Sequence, residues 1–462
     1  MTYPKSLPYI IANEAAERFS FYGMRSILTT FLVLQFFNPS LNPALQSVAE
    51  AKANEATHFF VSLAYTVPFL GAIMADWFFG KYKVILWISV LYCVGHLLLS
   101  VYDTDLDMFR MGLILIAIGA GGIKSCVSAN VGDQFDDSNK HLLSKVYSWF
   151  YFSINAGSAL STLLIPLVYA AYGPKWAFGI PGVLMAVATL IFYLGRKRYI
   201  RVPPTGVRKD NFVFISLYAL FHFYKREKGQ ALLDVAKVHF NAEKVEDIKA
   251  AYRVIGVFCF IPIFWAMWDQ NLSEWVLQAG KMDRHIFGYE LLPQQVQTVN
   301  PFFLLLLIPV FNYLIYPFIE RMGIKATPLR RIGGGLVLMV CSFVVIAMVQ
   351  TGIDSGTHPT IWWQVFAYVF LAAAEVMVSV TCLEYAYTQA PKSMKSTMGA
   401  IWLLTIAVGN IFTAFINRSI SNNGFFASLN GALYYWFFIG LMTLVIVVFL
   451  IVSPRIKEQS YH

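Results

Sequence analysis

Apolar residues occur along the chain in long blocks that short polar connections separate. Each block has roughly 20 residues, the length that a helix needs to cross the hydrocarbon core of a bilayer. Because backbone polar groups in lipid must be satisfied within the segment, this pattern predicts an all-α membrane protein with twelve transmembrane helices. Numbered in chain order, the predicted spans are 9–36, 56–79, 84–101, 108–130, 144–171, 176–195, 249–272, 297–319, 329–352, 359–388, 396–418 and 432–453.

The composition excludes an ordinary soluble domain. Charged residues make up 13% of the chain and hydrophobic residues 58%, whereas soluble domains have about 25% charged residues. A net charge of +9 could suit a nucleic acid, but Lys and Arg concentrate in connections of one parity, with 13 of them between Arg196 and Arg253. By the positive-inside rule, we expect both termini and this central connection in the cytoplasm, and no nucleic-acid partner.

The central connection divides the chain into two sets of six spans. We predict an amino-terminal bundle over 1–195, a linker over 196–248 and a carboxy-terminal bundle over 249–462. The linker segment GQALLDVAKVHFNAEKVEDIKAAYRV predicts a polar or amphipathic helix on the membrane surface, whereas the apolar run FVFISLYALFHF is too short to cross. The segments ADWFFGKYK and IERMGIK, at equivalent turns of the two halves, share an acidic residue, a glycine and a lysine. This weak internal repeat favours the major facilitator fold, although any short turn could use glycine and basic residues.

Several ionisable residues lie inside the predicted spans, where each costs a few kcal/mol unless it faces a bundle interior or a cavity. In span 1, Glu14, Arg18, Tyr22 and Arg25 follow spacings of four, four and three, which place them on one helix face, with Glu17 beside it. One face of this helix is therefore strongly polar and indicates a functional pathway.

Cationic residues dominate the first half and acidic residues the second. Beyond span 1, the polar candidates are His58 and Tyr65 in span 2, Lys124 after GAGG in span 4, Asn155 in span 5, Asp269 in span 7, Asn300 in span 8, and Glu375 and Glu384 in span 10. A cavity between the halves would suit a ligand with a carboxylate and an ammonium. Glu375 lies near the midplane and is the better ligand candidate. Nine residues turn an ideal helix through about 900°, so Glu384 faces the other way unless the helix breaks between them.

Each of these residues also has a structural interpretation. Arg18 and Glu14 could form only an intrahelical pair, Lys124 could extend to the interface, and His58 could be a satisfied core histidine. Glu384 could be a cytoplasmic gate or a helix anchor. The aromatic candidates could be packing or interface residues, namely Tyr22, Tyr65, Trp275 and Trp402.

At these residues the sequence resembles the proton-coupled oligopeptide transporters of the major facilitator superfamily. The matching segments are NEAAERFSFYGMRSIL, GAIMADWFFGKYKVI, GAGGIKSCVSANVGDQFD, FYFSINAGS, FWAMWDQNLSEWVLQA, QTVNP and AEVMVSVTCLEYAYTQAPKSMKSTMGAIWLL. The chain departs from the family at Ser125, where proline is common. Animal members have a large extracellular domain where this chain has only TGIDSGTH, which favours a microbial member.

The resemblance implies a symporter that imports di- and tripeptides with protons by alternating access. It assigns proton coupling to Glu14, Glu17, Arg18, His58 and Glu375, and gating or salt bridges to Asp269, Lys124, Arg25 and Glu384. The implied peptide-binding residues are Tyr22, Arg25, Tyr65, Lys124, Asn155, Trp275, Asn300, Glu375, Ser379 and Trp402. We expect Glu375 to face Lys124 or Arg25, and Asp269 to pair with Arg25 or Lys124.

The expected setting is the plasma membrane, which is the inner membrane of a bacterium, with lipid as a partner, no obligate protein partner and no cofactor besides the coupling proton. Two other functions stay open, a carrier of nitrate or another small anion and a peptide receptor that signals. Glu375 argues against an anion carrier, and measurable flux would separate transporter from receptor. No catalytic trio, phosphate loop or metal-spaced cluster stands out, so the sequence predicts no enzyme.

Overall fold

The computed structural model describes residues 3–37, 45–136, 139–204, 206–207, 210–227 and 229–456. These residues are helical throughout, except for loops and one pair of two-residue strands, β1 (His285–Ile286) and β2 (Tyr289–Glu290). The helices are α1 Leu7–Phe31, α2 Gln46–Phe79, α3 Lys81–Val101, α4 Leu106–Gly132, α5 Leu143–Tyr172, α6 Pro174–Lys197, α7 Phe212–Phe221, α8 Ala242–Phe258, α9 Ile261–Ala279, α10 Pro293–Arg321, α11 Pro328–Asp354, α12 Trp362–Gln389, α13 Lys395–Ser421 and α14 Ala432–Arg455.

All twelve predicted spans are helical in the structure, and the prediction of an all-α membrane protein is confirmed. Ten helices in the described chain are long and apolar enough to cross a membrane, and α8 with α9 makes an eleventh span, bent by 45°. Pro262 in the first turn of α9 accounts for this bend, because proline cannot donate a backbone hydrogen bond. The remaining predicted span is α1, which a π-helical turn extends to Phe36. Its buried charged residues make it less apolar than the other spans.

The central connection differs from the prediction of one amphipathic surface helix. Its apolar run forms the ten-residue helix α7, which is too short to cross. The following segment forms a short 3₁₀ helix over Leu232–Val238 and then breaks, because the Asn241 side chain accepts a hydrogen bond from the Glu243 backbone N–H at 2.8 Å and caps α8. The prediction of a helix on the membrane surface over this whole segment was therefore wrong. The second part of the segment, from Ala242, is the start of α8, which continues into span 7.

Small residues allow the spanning helices to pack closely. In the GAGG segment of α4, the backbone of Gly122 lies so near α2 that a Cβ on Gly71 would be 2.9 Å from the Gly122 Cα. A side chain at Gly71 would therefore force α2 and α4 apart, as is usual for small-residue contacts in membranes. Among the described residues, buried apolar side chains form one large cluster from Leu7 to Tyr199 and a second that, apart from Ala51, extends from Ile215 to Phe449. A third, small cluster lies between α10 and α12 around Phe311 and Met377.

A π-helical turn interrupts α12 over Val376–Val380, between Glu375 and Glu384. The nine-residue spacing therefore does not follow ideal helix geometry, and π-turns of this kind are frequent at functional sites. Glu375 faces the interior of the protein, while Glu384 is about half exposed and its Oε2 lies 3.3 Å from Nη1 of Arg331.

Candidate functional site

An internal cavity of about 250 Å³ lies between α1, α5, α9, α10 and α12. Five of the sequence-predicted binding residues line it, namely Tyr22, Asn155, Asn300, Glu375 and Ser379. The other lining residues are Tyr151, Ile154, Ser158, Thr162, Trp268, Asn271, Leu272, Gln297, Pro301 and Leu304. The cavity thus combines one carboxylate with amides, hydroxyls and aromatic rings, and helices from both halves of the chain supply them.

Of the described residues that line the cavity, Glu375 is the one that is acidic. Its Oε2 accepts hydrogen bonds from the indole N–H of Trp268 at 2.8 Å and from the side-chain amide of Asn300 at 3.1 Å. The expectation that Glu375 faces Lys124 or Arg25 was wrong for this conformation, because neutral donors hold the carboxylate and both cations have other neighbours. Among the described residues, the hydrogen-bond donors to this carboxylate are neutral groups.

Arg25 instead binds Asp269 across the two halves. Nη2 of Arg25 donates to Oδ1 of Asp269 at 2.5 Å, and both side chains are almost completely buried. The other Asp269 oxygen accepts from the Asn410 amide at 2.6 Å. Oδ1 of Asn410 lies 2.8 Å from Nδ1 of His58, and Nε2 of His58 lies 2.9 Å from the Ser273 hydroxyl. A continuous buried chain of polar side chains therefore joins α1, α2, α9 and α13.

A second polar cluster lies within the first half of the chain. Nε of Arg18 is 2.7 Å from Oε1 of Glu14 and 3.2 Å from Oε2 of Glu17. Glu17 is fully buried, and within the described residues its carboxylate accepts no hydrogen bond. This cluster places two carboxylates around one guanidinium, so a proton on either acid would change the charge balance of the group.

Lys124 lies between two aromatic rings. Its Nζ is 3.9 Å from the centroid of the Phe21 ring and 4.2 Å from that of Tyr65, so cation–π attraction stabilises the ammonium. Over the part of the chain that the structure describes, this Nζ has no hydrogen-bond partner. Tyr65 lies beside Tyr22, which lines the cavity. Lys124 is therefore a buried cation with unused donors, one aromatic layer away from the cavity.

Several of the described contacts between the halves lie on one side of the protein. Since successive spans alternate in direction, α2 begins and α9 ends on the side opposite to the termini. There Asn54 donates to Glu274, and Nζ of Lys281 lies 2.8 Å from Oε1 of Glu50. Deeper on the same side, the Gln297 amide donates to the Ser26 carbonyl at 3.3 Å. These contacts close the protein on the side opposite to the termini.

Five predicted binding residues do not line the cavity, namely Arg25, Tyr65 and Lys124, whose contacts are given above, and two tryptophans. Trp275 is fully buried against Phe343 and Tyr368, with ring centroids 5.8 and 5.0 Å away. Trp402 packs on Phe258 and Trp265 in the core of the second half. In this conformation both tryptophans are packing residues, which is the alternative interpretation that the sequence left open.

The sequence reasoning did not single out Tyr151, Trp268 and Asn410. Tyr151 and Trp268 line the cavity, and Asn410 connects Asp269 to His58. Asn410 carried a usable signal, because an amide in the middle of the apolar span 11 needs a partner. Tyr151 and Trp268 lie in aromatic-rich segments, where nothing in the sequence distinguishes a cavity wall from ordinary packing.

Comparison with known proteins shows which chains this protein is similar to. The PTR2 profile, described as the POT family, matches residues 82–427. Solute carrier family 15 member 2 of Rattus norvegicus is 36% identical over 402 residues, which cover 83% of this chain and 54% of that protein. Peptide transporter family 2 of Caenorhabditis elegans is 38% identical over 386 residues, 75% of this chain and 47% of that protein. The chain thus spans about half the length of the curated relatives it matches.

Solved structures match over nearly the whole chain. The crystal structure of an auto-inhibited POT family peptide transporter is 34% identical, with a TM-score of 0.90 and coverage of 99% of this chain and 98% of that one. The structure of the POT family transporter PepTSo is 36% identical, with a TM-score of 0.89 and full coverage of both chains. The arrangement of helices described above is therefore that of these transporters.

Proposed function

We propose that this chain, which belongs to the POT family, carries di- and tripeptides across a membrane together with protons by alternating access. The observation that carries the proposal is the cavity between the halves, where Glu375 is the single acidic residue of the lining. The names of the relatives, which are peptide transporters and solute carriers, support the same conclusion.

The ends of a peptide are the features that peptides of any sequence share. The ammonium end suits Glu375, with Asn155 and Asn300 as neutral acceptors on the same cavity. The carboxylate end suits Lys124, whose ammonium lacks a hydrogen-bond partner among the described residues, or Arg25, whose Nε is similarly unused. Recognition of both ends explains tolerance of different side chains, because affinity then does not depend on their identity.

Proton coupling is assigned to the cluster around Arg18. Protonation of Glu17 would weaken its attraction to Arg18, whose Nε lies 3.2 Å away, and so would alter the field at the cation sites. His58 has both ring nitrogens engaged with Asn410 and Ser273, which favours a role in holding the halves together. The proton is the one coupling ion in this proposal, and no cofactor is required.

Alternating access requires that the contacts between the halves exist in one state and break in the other. The Arg25–Asp269 pair is one of these contacts and is almost completely buried. With the termini in the cytoplasm of a plasma membrane, as the distribution of Lys and Arg favours, this conformation is closed to the outside. The peptide carboxylate then competes with Asp269 for Arg25 when the outer side opens.

The cavity assignment is tested by binding of unmodified and N-acetylated dialanine to the purified protein. The wild type should bind dialanine and discriminate strongly against the acetylated form, because acetylation removes the ammonium that Glu375 recognises. Glu375→Gln should lose most of this discrimination. Glu320→Gln, a matched change at a cytoplasmic-end position of α10, should retain it. Equal discrimination by Glu375→Gln and the wild type would overturn the assignment.

A further inference from the structure

A second, larger cavity lies on the side opposite to the termini and shares no residue with the one described above. It has a volume of about 670 Å³ and lies among the ends of α1, α2, α4 and α13. Three cationic side chains line it, Lys52, Arg110 and Arg418, with Glu55 as the one acidic side chain of the lining. Nε of Arg418 is 4.0 Å from Oε1 of Glu55, and Nη1 of Arg110 is 3.6 Å from Oδ1 of the exposed Asp107 beside the cavity. Among the described residues, the lining itself carries three cations and one acid.

The rest of this cavity is mainly apolar, and it continues as a groove toward the middle of the membrane. A neighbouring cavity of about 350 Å³ shares Phe59 and Leu63 with it. The groove is lined further by Ser62, Thr66, Leu404, Ala407, Val408 and Ile411. These positions lie about two to four turns deeper along α2 and α13 than Lys52 and Arg418. Charge is thus confined to the membrane surface, and apolar lining extends inward from it.

This arrangement has the polarity of a phospholipid. An anionic headgroup matches the three cations at the surface, and an acyl chain matches the apolar groove between α2 and α13. The groove is accessible from the bilayer, since Phe59 and Val408 are each about half exposed. A soluble anion would use the cations alone and would leave the apolar groove without a function.

We propose that this groove binds one anionic phospholipid, with its headgroup at Lys52, Arg110 and Arg418 and one acyl chain along α2 and α13. Lys52 and Arg110 belong to the first half of the chain and Arg418 to the second. A bound lipid therefore bridges the two halves on the side where the structure is closed. Basic pockets between transmembrane helices recognise anionic headgroups by the same chemistry. The inference does not depend on which solute the protein carries.

The test is lipid binding to the purified full-length chain, measured by native mass spectrometry with dioleoyl phosphatidylglycerol and dioleoyl phosphatidylcholine. We expect one phosphatidylglycerol to bind in preference to phosphatidylcholine. Arg418→Gln should weaken the binding of phosphatidylglycerol about fivefold, since one surface cation contributes about 1 kcal/mol, and Arg418→Lys should restore it. If Arg418→Gln fails to fold, Arg110→Gln tests the same cluster of cations. Lys175→Gln is the matched control, because it removes a cation on the same side beside a different apolar groove.

Two further arms separate the sources of the anionic group. Val408→Trp should fill the acyl groove and weaken the binding of phosphatidylglycerol without removing a charge. Soluble glycerol 3-phosphate should compete poorly, because it lacks the chain. Equal binding of both lipids, an unchanged affinity in Arg418→Gln, or full competition by glycerol 3-phosphate would overturn the proposal.

Discussion

Asp269→Asn should shift the protein away from the conformation described above. The carboxylate accepts from Arg25 at 2.5 Å and from Asn410 at 2.6 Å. An asparagine has only one oxygen, which can accept from one of these donors. Its NH₂ group then faces the other donor, and no hydrogen bond forms between them. Removing one partner of a buried ion pair costs about 3–5 kcal/mol, because the remaining charge is uncompensated. In the open state water would reach Arg25, so the cost falls on the closed state alone.

A shift of about 3 kcal/mol changes the ratio of the two states by more than a hundredfold. Spin labels at Leu45 and Phe425 would report it, since both positions are exposed, lie on the side opposite to the termini and belong to different halves. Cys259 is exposed and would be replaced by serine in this background. The wild type should give one short distance between the labels, and Asp269→Asn should give a longer distance as the main population.

Two controls make the result specific to the buried pair. Glu290→Gln breaks an exposed ion pair with Arg284 on the same side, which contributes about 0–1 kcal/mol, and should leave the distance unchanged. The double variant Arg25→Gln with Asp269→Asn removes both charges and should recover part of the short distance, because no buried charge is left unpaired. An Asp269→Asn distance distribution identical to the wild type would refute the reasoning.

Three other predictions follow from the polar clusters. Glu17→Gln should abolish proton-driven accumulation of peptide while sparing exchange between inside and outside, and uphill uptake at the wild-type level would contradict its role. Lys124→Met should abolish peptide binding but raise the free energy of unfolding by about 0.5–2 kcal/mol, because it removes a buried ammonium without a hydrogen bond; thermal unfolding measures this. In the linker, hydrogen bonds from Lys237 and Lys249 lower the pKa of Asp234 to about 2. The stability that these contacts contribute is present above the usual aspartate pKa near 4 and is lost as pH falls toward 2. The hydrogen-exchange protection factors of α8, which correct for the pH dependence of the intrinsic exchange rate, should therefore be unchanged between pH 7 and 5 and lower near pH 2.

The sequence could predict the twelve helical segments because each is a long apolar block. It could not predict the split of the central connection, since the break depends on the Asn241 cap, a local contact within a segment whose average polarity suits a helix throughout. From the sequence, a break in α12 was only one of two possibilities. A spacing of nine residues places Glu375 and Glu384 on opposite faces of a regular helix, and a break between them changes that relation.

The site residues that the sequence could predict are the charged ones, because a charge inside a membrane span has a high free-energy cost. Glu375, Arg25 and Lys124 are unmistakable as charges inside apolar blocks, and the structure buries Arg25 and places Lys124 and Glu375 at the centre of the protein. Their partners were not predictable, because a partner depends on the conformation as well as on the fold. Aromatic residues gave the weakest signal, as Trp268 lines the cavity whereas Trp275, seven residues later, is packed in the core.

The most direct test of the proposed function is uptake of labelled dialanine into liposomes that contain the purified protein. The vesicles are given an inward proton gradient and a negative interior potential. A proton-coupled peptide importer should accumulate dialanine above its external concentration, and a protonophore should collapse that accumulation. Absence of any peptide flux, with the protein shown to be folded, would contradict the proposal and favour an anion carrier or a receptor.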